Sequence, residues 1–426
     1  MKILIKSGRV IDPANGIDKT ANVYVDSGLI VSASDNFSAD AVIDADGLWV
    51  TPGFVDLHVH LRDPGLTHKE SIFTGAAAAA AGGYTTICAM PNTNPVMDNS
   101  ALVLETYKRI KAESIIDVLI IGAATCAQKG SLLADIEGMK RAGVCAISED
   151  GFSVNDSLLT KKALEACQKA NLPMFAHCED LSLVNGGIIN EGVAAKKFNL
   201  RGISNDSEDV TVARDIILAG SVGARLHICH VSTRGSVDII KFAKSGGVKL
   251  TAECCPHHFT LSDEDISEDD GNYKMNPPLR SFNDKKAILK ALRDNTIEII
   301  ATDHAPHHES EKSGGFNSAL NGIVGLETAL PLCITELVET GILTPSELIE
   351  KTSLNPAKVI GIKAGALTVG YPADIAIIDP GTPYEIDINN FKSKSKNTPF
   401  NGKRVKGKVV HLIKNGKLII QNGGLK

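Results

Sequence analysis

Short apolar runs alternate with helical patterns along most of this chain, and that alternation constrains its fold more than any other feature. The runs have the length of buried strands, and segments with helical periodicity separate them. The eight runs cover residues 53–57, 85–89, 118–122, 144–147, 174–176, 226–229, 248–251 and 297–301. The helical segments include 158–170, 208–219, 236–244 and 284–293. Strand–helix repetition over this length predicts an α/β fold, a (β/α)8 TIM-like barrel.

A doubly wound open sheet is the alternative arrangement of the same elements. No Gly-x-Gly-x-x-Gly motif follows the first apolar run, which removes the usual nucleotide-binding reason for that fold. Capping-box spacing predicts helix starts at Thr67–Glu70 and at Thr344–Glu347, the second with a proline at the first helical position.

The two ends of the chain have a different pattern, in which short strands are joined by turns. Ser7-Gly8, Asp26-Ser27-Gly28 and Asn415-Gly416 are the predicted turns, and the last has the sequence of a tight hairpin. We therefore expect residues 1–50 and 365–426 to form one small β-sandwich domain beside a barrel formed by residues 51–364.

Composition excludes several classes of protein. The net charge of −6 disfavours a nucleic-acid or acidic-membrane partner. The Ala- and Gly-rich stretch 71–97 lacks bulky aliphatic residues and is interrupted by Gly82-Gly83 and Pro91, so we do not expect a membrane span. The nine cysteines are scattered without a Cys-x-x-Cys pair, which is typical of reduced thiols in a cytoplasmic protein.

Polar residues stand directly after the C-terminal ends of successive apolar runs. Side chains alternate along a strand, so His58, His60 and Arg62 point the same way. The residues placed after successive runs are His58, His60, Asn92, Asp150, His177, His230, His257 and Asp303. In a barrel such positions converge at the carboxyl ends of the strands, where active sites form.

Four of these histidines and two carboxylates suffice for two divalent cations. His58, His60 and Asp303 would hold one cation, His177 and His230 the other, and Asp150 could bridge both. Nitrogen and oxygen ligands without thiolates favour zinc, with cobalt or manganese as alternatives. Water between paired cations would be nucleophilic at neutral pH.

Each residue also has a simpler explanation by itself. His177 and His230 could be satisfied core histidines, and Asp150 and Asp303 could be turn residues. Their joint placement at predicted strand ends favours a site. We expect four histidines to be non-ligands, namely His68, His304, His308 and His411. For His257 and His258 we expect packing or hydrogen-bonding support.

Several motifs carry a family resemblance that spans essentially the whole chain. The most specific are Asp-Leu-His-Val-His-Leu-Arg-Asp-Pro-Gly at 56–65, Met-Pro-Asn-Thr at 90–93, Glu-Asp-Gly at 149–151, Ala-His-Cys-Glu-Asp at 176–180, Pro-His-His-Phe at 256–259, Asn-Pro-Pro-Leu-Arg at 276–280 and Thr-Asp-His-Ala-Pro-His at 302–307. The chain resembles the cyclic amidohydrolases and, within them, the class I dihydroorotase family.

The resemblance implies a barrel with a β-sandwich from both termini, two zinc ions per subunit, and a pyrimidine-biosynthetic reaction. That reaction is the reversible cyclisation of N-carbamoyl-L-aspartate to (S)-dihydroorotate plus water, on the de novo route to UMP. The implied metal ligands are His58, His60, Asp150, His177, His230 and Asp303. Asp303 would also be the general acid/base that takes a proton from the metal-activated hydroxide. The implied substrate-binding residues are Arg62, Asn92, Asn276, His307, Asn321 and Gly322.

Two other functions remain as alternatives. Hydantoinases and many allantoinases bridge their metals with a carboxylated lysine, whereas residues 146–151 contain no lysine. Arg62 also suits a substrate carboxylate, which a hydantoin ring lacks. The second alternative is a non-catalytic partner of aspartate transcarbamoylase, but such proteins lose metal ligands and this chain keeps all six. Homodimerisation and association with aspartate transcarbamoylase are further expectations.

The segment 308–322 is rich in glycine, serine and charge, which predicts a mobile lid or active-site loop. Family members commonly have Phe-Gly where this chain has Asn321-Gly322. Backbone contacts to substrate would survive that change, whereas aromatic stacking would not.

Overall fold

The computed structural model describes residues 1–33 and 37–426. The predicted terminal domain therefore includes three residues, 34–36, that lie outside the described part of the chain. The N-terminal strands are β1 (Lys2–Asp12), β2 (Ile17–Asp26), β3 (Leu29–Val31), β4 (Ala41–Asp44) and β5 (Trp49–Pro52).

An eight-stranded parallel sheet forms the centre of the molecule. Its strands are β6 (Phe54–Val59), β7 (Tyr84–Ala89), β8 (Asp117–Ala123), β9 (Ala146–Ser148), β10 (Met174–Ala176), β13 (Leu226–Ile228), β14 (Leu250–Cys254) and β15 (Ile299–Ile300). The strands β11 (Ile189–Asn190) and β12 (Gly202–Ile203) form a separate two-stranded sheet. The first and last strands approach each other where Val59 bridges His304 and His60 N–H donates to the His304 carbonyl at 2.8 Å. The predicted (β/α)8 barrel is confirmed.

Helices surround this barrel. They are α1 (Ile72–Ala81), α2 (Ser100–Glu113), α3 (Ile136–Ala142), α4 (Ser157–Lys169), α5 (Leu181–Val184), α6 (Val193–Phe198), α7 (Asp206–Val222), α8 (Arg234–Ser245), α9 (Pro256–Thr260), α10 (Phe282–Arg293), α11 (Glu309–Lys312), α12 (Gly315–Ser318), α13 (Ala329–Cys333), α14 (Pro345–Ile349) and α15 (Asn355–Ile360). Apolar side chains such as Val55, Leu57, Ile121 and Phe175 fill the barrel, so it is a packed core and not a pore. No helix in the described ranges is both long and apolar enough to cross a membrane.

Strands from both chain ends share one sheet. The C-terminal strands are β16 (Ile375–Asp379), β17 (Tyr384–Glu385), β18 (Arg404–Val405), β19 (Lys408–Lys414), β20 (Lys417–Gln421) and β21 (Gly424–Leu425). The nine-stranded sheet runs in the order β21-β20-β19-β16-β5-β1-β2-β3, with β4 paired to β1. The antiparallel pairing of β5 with β16 joins the two ends. Only Gly53 separates β5 from the first barrel strand, so this sheet is attached directly to the barrel.

Two local predictions were wrong. Thr67–Glu70 does not begin a helix, because α1 starts at Ile72 with Ser71 as its N-cap and Thr74 as the reciprocal partner. Ser7-Gly8 is not a turn between two strands. Both flanking segments pair with β2, and the two residues form an irregularity inside the continuous strand β1. The capping box at Thr344–Glu347 is confirmed.

The predicted Asn415-Gly416 hairpin is also confirmed, and it touches a second tight turn. Both residues have positive φ, as the tight turn between β19 and β20 requires. A Cβ atom added to Gly416 would lie 2.7 Å from the Gly28 Cα atom. Glycine is required there for its backbone conformation and for close packing of the two turns.

We therefore expect Gly416→Ala to lower the thermal unfolding midpoint more than Gly402→Ala. Gly402 also has a positive φ, but an added Cβ meets no atom within 4 Å, so alanine pays only the backbone cost of roughly 1–2 kcal/mol. Gly416→Ala adds the steric conflict to that cost. Thermal denaturation of both variants measures the difference, and equal midpoints would contradict this account of the turn contact.

Candidate metal centre and active site

Six candidate side chains meet at the carboxyl ends of the barrel strands. His58 lies in β6 and His60 directly follows it, while Asp150, His177, His230 and Asp303 follow β9, β10, β13 and β15 by one to three residues. All six side chains are buried. The parallel strands end at one rim, which explains why residues distant in sequence lie together.

Asp150 lies at the middle of this cluster. Its Oδ1 atom is 3.3 Å from His58 Nε2, 3.3 Å from His230 Nε2 and 3.5 Å from His177 Nδ1. Its Oδ2 atom is 3.3 Å from His60 Nε2. The two oxygens therefore face different groups of imidazoles, the arrangement that a bridging carboxylate needs.

Asp303 lies on the side of the cluster formed by His58 and His60. Its Oδ1 atom is 3.2 Å from His60 Nε2 and 3.5 Å from His58 Nε2. On the other side, His177 Nδ1 and His230 Nε2 are 2.9 Å apart. His58 lies between these two sides, since its Nε2 atom is near both Asp303 Oδ1 and Asp150 Oδ1.

The donors are oriented as cation ligands would be. His58 Nδ1 donates to Glu253 Oε1 at 2.8 Å, and His60 Nδ1 donates to Asn92 Oδ1 at 2.8 Å. Nε2 is therefore the nitrogen of each of these two rings that faces the cluster. Within the described residues His58 Nε2 is buried and has no hydrogen-bond partner. This set of nitrogen and carboxylate donors fits divalent metal ions.

The carboxylates of the cluster are ionised. Burial by itself raises the pKa of Asp303, but His58 and His60 outweigh burial and hold that pKa well below its ordinary value. Burial likewise opposes ionisation of Asp150, whose pKa is nevertheless lowered by His58, His177 and His230. Ionised carboxylates are the form that binds cations.

Glu253 was missed by the sequence analysis. Its second oxygen, Oε2, is 3.0 Å from His227 Nε2, and His227 Nδ1 is 2.9 Å from the Thr251 hydroxyl. Burial raises the pKa of Glu253, but His227 and His58 lower it to about 2. A charged residue inside the mostly buried strand β14 was the signal that could have revealed it.

Arg62 lies beside the metal-ligand cluster. Burial lowers the pKa of its guanidinium to about 10, while Asp303 and Asp150 raise it, so the side chain stays cationic at neutral pH. Its Nε atom donates to the Pro306 carbonyl at 3.2 Å. Arg62, His230 and Asp303 all have positive φ, a strained backbone conformation that clusters at functional sites.

His307 stands next to Arg62, with 3.4 Å between its Nε2 atom and Arg62 Nη2. Burial and the positive charges of Arg62 and Lys69 lower the pKa of His307 to about 3, so the ring is neutral. Its Nε2 atom donates to the Asn321 carbonyl at 2.8 Å. The Asn321 side chain itself is exposed, so only its backbone joins the buried group.

Gly322 and Asn276 complete the predicted set. A Cβ atom on Gly322 would lie 2.5 Å from the Ala305 carbonyl oxygen and 2.8 Å from the His307 ring, so only glycine fits. Asn276 Nδ2 donates to Glu179 Oε1 at 3.0 Å, and Glu179 Oε2 is 3.6 Å from His177 Nε2. Asn276 is thereby connected to the metal-ligand cluster through Glu179, a second residue that the sequence analysis missed.

The remaining histidines lie in other surroundings. His68 is exposed, His308 caps α11, His411 lies in β19, and His304 Nε2 is 3.4 Å from Glu70. His258 Nε2 donates to the Pro277 carbonyl at 3.0 Å, and the ligand atoms of His257, His258 and Cys255 lie within 4.8 Å of one another. The loop 308–322 contains α11 and α12, and its mobility stays a prediction.

Comparisons with known proteins identify the family of this chain. A family model described as dihydro-orotase-like matches residues 47–236. The chain is 46% identical over 426 residues to a dihydroorotase of Geobacter sp. (strain M21), covering 99% of this chain and 100% of that protein. It is 47% identical over 422 residues to a dihydroorotase of Geobacter metallireducens, covering 98% and 99%.

Solved structures of hydantoinases share the fold. An L-hydantoinase (dihydropyrimidinase) from Arthrobacter aurescens superposes with a TM-score of 0.90 at 25% identity, covering 100% of this chain and 97% of that one. A dihydropyrimidinase from Brevibacillus agri superposes with a TM-score of 0.87 at 24% identity, covering 100% and 96%. The full-length sequence similarity is much higher to the dihydroorotases, and the chain belongs to the dihydroorotase family.

Proposed function

We propose that this enzyme is a class I dihydroorotase, which reversibly cyclises N-carbamoyl-L-aspartate to (S)-dihydroorotate and water in de novo pyrimidine biosynthesis. The observation that carries the proposal is the buried cationic Arg62 beside a cluster of four imidazoles and two carboxylates. A cation at this position can pair with the α-carboxylate, the group that both compounds have.

The metal assignment belongs to the proposal. His58, His60 and Asp303 would hold one zinc ion, His177 and His230 the second, and Asp150 would bridge them. Both oxygens of Asp150 lie 3.3 Å from imidazole nitrogens, Oδ1 from those of His58 and His230 and Oδ2 from that of His60, which supports the bridging role. Bound zinc would polarise the amide carbonyl of the ring and lower the pKa of water at the site.

The protein residues then have separate tasks in ring opening. The Asp303 carboxylate accepts a proton from the attacking water and delivers it to the departing amide nitrogen. Arg62 binds the substrate carboxylate with its planar fork of N–H donors. Asn92, Asn276, His307 and the backbone of Asn321 and Gly322 bind the remaining polar atoms of the substrate. The neutral state of His307 keeps its ring a hydrogen-bonding group and not a competing cation.

The two alternatives are less well supported. A hydantoinase-like or allantoinase-like activity shares this fold, but a hydantoin ring has no carboxylate for Arg62. A non-catalytic partner of aspartate transcarbamoylase would have no need of six converging ligands. We further propose a homodimer in the cytoplasm, association with aspartate transcarbamoylase, and a terminal domain (1–50 and 365–426) distinct from the barrel domain (51–364).

A spectrophotometric ring-opening assay tests the function. Purified protein should open dihydroorotate much faster than hydantoin or allantoin, and metal analysis of the same sample should find zinc near two equivalents. Faster opening of hydantoin or allantoin would overturn the substrate assignment, and absence of bound metal would favour the non-catalytic alternative.

Asp303→Asn removes the proposed proton acceptor and keeps the size of the side chain. We expect turnover to fall by roughly a hundredfold or more, with binding of dihydroorotate largely retained. Turnover, substrate affinity and metal content should be measured together, because Asp303 is also a proposed ligand. Near-normal turnover in the metal-loaded variant would rule out its role as acid and base.

Arg62→Lys replaces a planar fork by a point charge. We expect kcat/KM for dihydroorotate to fall by roughly tenfold or more, chiefly through KM. Arg214→Lys is a matched control, because Arg214 pairs with Asp215 in helix α7 and should leave the kinetics unchanged. An unchanged kcat/KM in Arg62→Lys would mean that another residue holds the carboxylate.

Glu253→Gln weakens the acceptor that orients His58 through a 2.8 Å hydrogen bond. We expect a loss of about 10–100-fold in metal affinity, measured by competition with a chelator. Glu137→Gln is the control, since Glu137 forms an exposed ion pair with Arg141 on helix α3 and contacts no residue of the cluster. Equal metal affinities of the two variants would contradict the role given to Glu253.

A further inference from the structure

A C-terminal segment, residues 391–398, packs against the barrel beside the candidate site. Glu70 accepts hydrogen bonds from the Ser393 hydroxyl and the Lys394 N–H, and the Ser395 hydroxyl donates to the Lys69 carbonyl at 2.7 Å. The segment is therefore fixed to the stretch that joins β6 to α1. Neither the strand–helix pattern of the sequence nor its family resemblance assigns residues 391–398 a role in the site.

Asn397 is the member of this segment that reaches the loop carrying His307. The residue is 5% exposed, and both polar atoms of its side chain form hydrogen bonds. Oδ1 accepts from His307 N–H at 3.0 Å, and Nδ2 donates to the carbonyls of Ala305 at 3.1 Å and Gly322 at 3.0 Å. The backbone carbonyl of Asn397 accepts from Val324 N–H at 2.9 Å.

These contacts lie on both sides of Pro306, whose carbonyl accepts from Arg62 Nε at 3.2 Å. One amide side chain therefore fixes the peptide groups that flank the acceptor orienting Arg62. It also fixes the Gly322 carbonyl, which accepts a second hydrogen bond from Lys312 Nζ at 2.9 Å. A displacement of about 1 Å in such a support is enough to reduce catalytic efficiency substantially.

We propose that Asn397 is a positioning residue for the substrate carboxylate, acting through the backbone of residues 305–307 on Arg62 and His307. The inference rests on the proposed function, because it requires that Arg62 bind that carboxylate. Asn397 itself lies outside the reaction: it forms no bond to the ligand cluster and takes part in no proton transfer. The C-terminal segment thereby becomes part of the substrate site.

Steady-state kinetics of Asn397→Ala test the inference. We expect KM for dihydroorotate to rise roughly tenfold while kcat changes by less than roughly threefold and metal content stays at the wild-type value. Asn397→Asp should behave similarly, because it places an acceptor oxygen against the carbonyls of Ala305 and Gly322. The control is Asn401→Ala, which removes an exposed asparagine that accepts from Ile388 N–H at 3.3 Å.

A double-mutant cycle separates positioning from general destabilisation. If Asn397 acts through Arg62, the losses in kcat/KM of Asn397→Ala and Arg62→Lys should not multiply in the double variant. Unchanged KM in Asn397→Ala, independent losses in the double variant, or failure of both Asn397 variants to fold would each overturn the inference. Failure of the wild-type enzyme to open dihydroorotate would overturn the proposed function instead.

Discussion

Two buried carboxylates and four imidazoles at the mouth of an apolar barrel form the interaction on which the site depends. A charge buried without partners is costly, and Asp150 and Asp303 are both buried. Their pKa values stay low because the imidazoles of His58, His60, His177 and His230 surround them. The same proximity makes the cluster a place for divalent cations, so the electrostatic balance of the fold and its proposed chemistry have one origin.

A second set of residues holds the imidazoles in position. Glu253 and Asn92 accept from the Nδ1 atoms of His58 and His60, and Glu179 lies between His177 and Asn276. The contacts of Glu253 and Asn92 fix which nitrogen of His58 and of His60 faces the centre. Ligand geometry is thereby set by residues on neighbouring strands and loops, and not by the ligands alone.

The chain ends contribute more than a peripheral sheet. β5 continues through Gly53 into the first barrel strand, which carries His58, so the terminal sheet and the candidate ligand cluster share a continuous piece of backbone. Near the C-terminal end of the chain, residues 391–398 bind Glu70 and the loop that carries His307. The surroundings of the candidate site therefore include parts of the chain that are more than 300 residues apart, as in the contact of Lys394 with Glu70.

The sequence by itself determined the barrel, the placement of six ligand candidates at strand ends, and the Asn415-Gly416 hairpin. Each of these follows from a local pattern: apolar runs of strand length, polar residues directly after them, or a dipeptide suited to positive φ. Local patterns were insufficient where a residue had a distant partner. Glu70 resembled part of a helix cap, but it binds residues 393 and 394, and Ser71 caps α1 instead.

Only the tertiary structure decided which polar residues support the ligands. Glu253 meets His58 across 195 positions of sequence, and Asn397 meets His307 across 90. No spacing rule relates such pairs, because their proximity depends on how the strands are ordered in the barrel and how the chain returns to it. The sequence thus determined which ligand candidates lie at the rim of the barrel, whereas tertiary packing decided which other residues orient them.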